Sequence, residues 1–143
     1  MFRQRINPGD GIHKKEIYEV WGDIIEMAAS QGHVVLGLIE AFFRQANLPD
    51  DFTCRRHNVE DGRSFLVVEW GNRIAHIDAR PFGAHLDVYA ILALRRGLID
   101  SPDPNTRISE LDGVERRDLQ VFQTLLHHAV EQSLTAFEEG SAV

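Results

Sequence analysis

Apolar residues near the start of the chain recur at helical spacing. Between Ile12 and Gln31 they fall at Ile17, Val20, Trp21, Ile24 and Ala28, which predicts an amphipathic helix ending at Gly32. A second, more apolar set, Val34, Val35, Leu38, Ile39, Phe42 and Phe43, predicts a buried helix over 33–47, closed by Pro49. From Phe52 the period shortens to two. Asp61-Gly62 and Gly71-Asn72 are two-residue turn signals set among alternating β-formers, so a three-stranded meander is expected near 52–60, 63–70 and 73–79. Leu86 to Arg96 reads as a short helix, with Arg95 and Arg96 in its last turn and Gly97 just beyond. Asp112, three residues before Glu115, resembles a capping box that opens a long helix to about Glu139, striped by Leu119, Phe122, Leu126, Ala129, Val130, Ser133 and Phe137.

The expected fold class is therefore α+β. Two N-terminal helices, a three-stranded antiparallel meander, a short helix and a long C-terminal helix would pack with the helices on one sheet face. Residues 1–11 read as an N-terminal tail and 12–143 as a single globular domain, a size that suits one core.

Register gives the meander two faces if both turns hold two residues. Leu66, Val68, Trp70, Ala75 and Ile77 then share one face with Thr53, Arg55 and His57, and should meet the helices. The other face gathers Cys54, Arg56, Glu69, His76 and Asp78 among Phe65, Val67 and Ile74. Cys54 and His76 fall about 12 Å apart in this register, too far for a thiol–imidazole pair. Arg56, Glu69, His76 and Asp78 fall close enough to interact. As chemistry, Glu69 or Asp78 would tune His76 as a base, or the three would hold a divalent metal. A solvated face with cross-strand charge pairs is the simplest account of the four, a protein-binding face the next, and catalysis the least economical. A one-residue slip at either turn would carry a whole strand's side chains to the opposite face.

Composition narrows the function classes. The net charge of −7 argues against a general affinity for nucleic acid, which needs cations to displace counterions. Residues 16–51 and 98–143 each sum to −6, while 52–97 sum to +2, so two acidic segments flank a mildly basic centre. The single cysteine excludes an internal disulfide and a cysteine-based zinc site. The most apolar run, VVLGLIEAFF, is too short and contains Glu40, so no membrane span is expected. The N-terminus has no apolar stretch behind its basic residues, which fits a cytoplasmic protein. No glycine-rich phosphate loop, nucleophile elbow or HExxH is present, and no cofactor or metal is expected. His127 and His128 point about 100° apart on a helix and cannot clamp one ion.

A binding role follows by elimination, and the reading leans away from an enzyme. Glu16, Glu19, Asp23 and Glu26 would line the first helix, and Asp112, Glu115 and Asp118 the start of the last. Such charge would steer a basic protein partner. The leading expectation is an inhibitor or immunity-type protein that neutralises a toxin or enzyme by direct binding, using these carboxylates together with Arg56, Glu69, His76 and Asp78. The alternative is an acidic secretion-type chaperone or adaptor, for which a homodimer would be natural. A small metal- or His-dependent hydrolase built on Glu69, His76 and Asp78 is the second alternative.

Overall fold

The computed structural model describes residues 6–59, 61–95 and 111–141. After a 3-10 turn at Lys14–Glu16 come β1 (Ile17–Ile25), α1 (Gly32–Gln45), β2 (Phe52–Asn58), β3 (Ser64–Trp70), β4 (Arg73–Phe82), β5 (His85–Leu94) and the long helix α2 (Gly113–Ser141). The strands form one antiparallel sheet in the order β1-β5-β4-β3-β2. β1 and β2 occupy opposite edges and run parallel, so their connection must cross the sheet, and α1 makes that crossing.

This corrects the expected architecture of two N-terminal helices and a three-stranded meander. The sheet has five strands, with α1 and α2 as the α-helices among the described residues. The segment read as a first helix is β1. Its Glu19, Trp21, Asp23 and Ile25 pair with Leu92, Ala90, Val88 and Leu86 on the helix side, while Val20 and Ile24 face the other way. Because both faces carry apolar residues, alternation is blurred and a three-four spacing emerges by coincidence. The segment read as a short helix is β5, a central strand with Leu86, Val88, Ala90 and Leu92 in one core and Ala93 in the other. A continuous apolar run of this length cannot be told from a buried helix by periodicity. The hairpin that joins it to β4 turns on Gly83-Ala84, with Gly83 at φ 62°, a turn signal that follows Pro81 and Phe82.

Other expectations hold. α1 starts and ends within two residues of its predicted bounds. The Glu115 N–H donates to Asp112 Oδ1 at 2.8 Å, and the Asp112 N–H to Glu115 Oε1 at 3.5 Å, so the capping box opens α2. Leu66, Val68, Ala75 and Ile77 meet the helices in a core with Val35, Ile39 and Phe43 of α1 and Phe122, Leu126 and Val130 of α2. A second, smaller core lies on the far side of the sheet, where Phe65, Val67, Ile74 and Ala93 are covered by Ile12 from the N-terminal segment.

One glycine fixes how closely β1 approaches β5. A Cβ on Gly22 would stand 2.7 Å from both Tyr89 Cβ and the Val88 carbonyl oxygen. Neither is the far end of a flexible side chain, so the strands would have to part. Gly22→Ala is expected to cost about 1–3 kcal/mol. Urea denaturation reads this directly, and an unchanged midpoint would mean that β1 sits farther from β5 than described.

Candidate functional site

His76 and Asp78 both lie on the sheet face away from the helices, and both are buried, at 2% and 0% exposure. The cover over His76 is the chain's own N-terminal segment. Ile6 donates its N–H to the Asn58 carbonyl oxygen, and Gly9, at φ +93°, donates its N–H to His76 Nδ1 at 2.8 Å. Ile12 then closes over the smaller core, a burial worth about 1.5–3 kcal/mol for a side chain of its size. A histidine that accepts at Nδ1 is neutral and carries its proton on Nε2. Burial, with Arg95 and His57 adding to it and Asp10 opposing, pulls the His76 pKa down to about 4. The imidazole is thus a neutral acceptor that fastens the N-terminal strap.

Asp78 has a different set of partners. Arg63 approaches Oδ1 at 2.7 Å, and the Tyr89 hydroxyl donates to Oδ2 at 3.0 Å. Arg63 also reaches Asp61 at 2.8 Å. Burial first, and then the Asp78 charge, push the Tyr89 phenol well above its ordinary pKa. Arg63 and Tyr89 escaped the sequence reading. Tyr89 is the register partner of Asp78, a pairing that becomes visible only once β5 is read as a strand.

Arg56 does not join this face. The turn after β2 is a three-residue loop, in which Gly62 at φ +88° donates to the Val59 carbonyl and Val59 N–H donates to Arg63 O. Relative to a two-residue turn this slips β2 by one position and moves all its side chains across the sheet. Cys54 and Arg56 now pair with Val68 and Leu66 on the helix side, where Arg56 bonds to Glu40 of α1 and to Ser64. Thr53, Arg55 and His57 take their place on the other face. Glu69 pairs there with Arg55 at 3.2 Å, with Arg95 at 3.9 Å, and has no bond to His76.

Cys54 borders a cleft of about 360 Å³ with Glu40, Phe43, Arg44, Leu48 and Phe52. Burial, reinforced by the Glu40 carboxylate, pushes its thiol up to about 12, so it is protonated at neutral pH and a poor nucleophile. The sheet separates it from His76. Among the described residues no three His, Cys, Asp or Glu side chains converge as a metal site. No helix of the described residues is long and apolar enough to cross a membrane.

The acidic residues expected along a first helix lie instead on and around an edge strand. Glu19 and Asp23 belong to β1, Glu16 to the preceding 3-10 turn, and Glu26 follows the strand. Glu19 meets His127 Nε2 of α2 at 2.7 Å, and His127 stacks on Trp21 at 4.2 Å, while His128 is exposed. Asp112, Glu115 and Asp118 do open α2, and the first two are spent on capping.

Among the described residues the far face is only partly covered. Beyond the strap, Val20 and Ile24 of β1 are 64% and 46% exposed, and Phe82 at the end of β4 is 65% exposed. Val20, Gly22 and Ile24 border an open concavity of about 530 Å³ with Tyr89, Asp87 and Arg80. Arg80 binds Asp87 at 2.8 Å and lies over the Tyr89 ring at 4.9 Å, which neutralises the floor of this hollow. Comparisons with protein-family models, with curated proteins and with solved structures return no match.

Proposed function

We propose that this chain is a cytoplasmic protein-binding module that acts by direct contact with a partner, in the manner of an inhibitor or immunity-type protein. The observation that carries the reading is the part of the sheet's far face that the described residues leave uncovered. Val20 and Ile24 stand exposed there on the rim of a hollow whose floor Arg80 and Asp87 neutralise between them, and Phe82 stands exposed at the end of β4. Exposed apolar side chains interspersed with polar ones are a feature of interaction surfaces. The ties of His76 to the strap, of Asp78 to Arg63 and Tyr89, and of Glu69 to Arg55 support a structural part for these residues.

Site-specific photocrosslinking in the producing cell tests the reading. A benzoyl-phenylalanine at Ile24 or Phe82 is expected to give a discrete crosslinked protein. The same probe at Thr53, exposed on the β2 edge of the same face, is expected to give none. Equal or absent crosslinking at all three positions would overturn the assignment of this surface.

A further inference from the structure

The two edges of the sheet are treated differently. β2 carries Arg55 and Arg56 side by side, and the N-terminal strap hydrogen-bonds its end through Ile6 and Asn58. Cations and covering segments of this kind discourage strand addition. β1 has neither. Its nine residues, IYEVWGDII, include no Lys, Arg or Pro, and its one irregularity lies between Ile17 and Glu19, near its start. From Val20 to Ile25 the strand is regular, pairs with β5 on one side, and ends the sheet on the other.

Strand alternation gives this edge two chemistries. Val20, Gly22 and Ile24 face the open hollow, and Glu19 and Asp23 face the helix side. Glu16 and Glu26 flank the strand, so residues 16–31 hold four carboxylates and no cation. A chain laid against β1 would place every second side chain beside Val20 and Ile24, and the intervening ones beside Glu19 and Asp23, about 4.5–5.5 Å away.

We propose that β1 is a strand-addition site for an extended segment of a basic partner, one that alternates apolar residues with Lys or Arg. This rests on the protein-binding reading above and names its occupant. Main-chain hydrogen bonds to the outer edge of β1 would supply affinity, and the alternating pockets specificity; the Ile24 N–H donates to Asp23 Oδ1 at 2.8 Å and would give up that bond to join them. The apolar residues of the partner would extend the surface formed by Val20 and Ile24. Its cations would meet Asp23, which is exposed, and Glu19, which is partly exposed and also bonded to His127. Charge selects this occupant over a second copy of the chain. Two β1 strands paired edge to edge would bring four carboxylates together with no cation from either strand, and like charges facing one another in a sheet are destabilising.

The test uses the full chain and a labelled seven-residue peptide alternating valine and lysine, followed by fluorescence anisotropy. Its controls are a peptide of the same composition with the lysines contiguous, and an alternating valine–glutamate peptide. The alternating lysine peptide is expected to bind about tenfold more tightly than either control, and to weaken as salt rises. Val20→Lys, which places a guarding cation on the edge, is expected to abolish the preference. Asp23→Lys is expected to shift it toward the glutamate peptide. Both positions are exposed, and circular dichroism establishes that the variants fold. Equal binding of the alternating and contiguous peptides, or an unaltered preference in Val20→Lys, would overturn the proposal. So would a dimer in sedimentation that Val20→Lys converts to monomer, since a second copy would then be the occupant. Crosslinking at Ile24 without any peptide preference would leave the binding surface standing and remove only the basic extended segment.

Discussion

Asp78→Ala is expected to lower the stability of the fold by about 3 kcal/mol, the low end of the range for breaking a buried ion pair. The carboxylate is fully buried and has two partners, Arg63 at 2.7 Å and the Tyr89 hydroxyl at 3.0 Å. Alanine removes both interactions and leaves a guanidinium and a phenol facing a void. The effect falls at the low end because the Arg63 side chain is 28% exposed and retains Asp61. Against a total stability of roughly 5–15 kcal/mol, such a loss is a large fraction. Asp78→Asn keeps the shape and an oxygen acceptor for Tyr89 but gives up the charge, and is expected to lose less. Urea midpoints order the three proteins. A second readout isolates the cause: the Tyr89 phenol, held up in part by the Asp78 charge, should ionise at lower pH in Asp78→Ala. An alanine variant with the parent midpoint and the parent phenol titration would show that Asp78 is solvated.

Acid is expected to weaken the fold through His76. Its folded pKa of about 4 lies below the ordinary value of 6.5, so the folded state keeps the ring neutral while the unfolded chain takes up the proton first. The contribution is therefore complete above about pH 6.5. It declines as pH falls toward 4 and is exhausted below that, by about 3 kcal/mol in all. The physical event is that a protonated Nδ1 can no longer accept from Gly9, so the strap loses its side-chain fastening while a charge appears in the smaller core. The many carboxylates of the chain titrate nearby, and the difference between two proteins removes their background. His76→Gln retains an acceptor and does not titrate, so its stability should fall less steeply between pH 6.5 and 4. Parallel profiles for the parent and His76→Gln would rule out a buried neutral imidazole.

Much of the helix side of the molecule was legible in the chain. The β3–β4 hairpin follows from Gly71-Asn72, α1 from its apolar stripe, and the start of α2 from the Asp112 and Glu115 pair. Each is a local signal that tertiary structure had no reason to override. The misread segments share a cause. β1 and β5 are strands with apolar residues on both faces, and two-sided strands lose the alternation by which a strand is recognised. Reading them as helices removed Tyr89 from the neighbourhood of Asp78 and turned the β1 carboxylates into a helix face. The displacement of Arg56 has a smaller origin. Asp61-Gly62 does mark the turn, but Gly62 closes a three-residue loop, and that one added residue moved Arg56 from His76 to Glu40. The strap left no trace in periodicity, because its contacts are a backbone N–H on an imidazole and one isoleucine in a shallow core.

The strand order also sets how the chain can assemble. β2, β3, β4 and β5 pair with one another only as neighbours along the sequence, through short turns, and can zip together as each emerges. β1 is made first yet has no partner until β5 exists, because Ile17 pairs with Ala93 and Ile25 with Leu86. Its pairing closes a loop of roughly 60 to 75 residues, an entropy cost that falls on this strand alone and that slows folding in proportion to contact order. The four-stranded meander with α1 is thus a natural early unit, and the addition of β1 completes the sheet last.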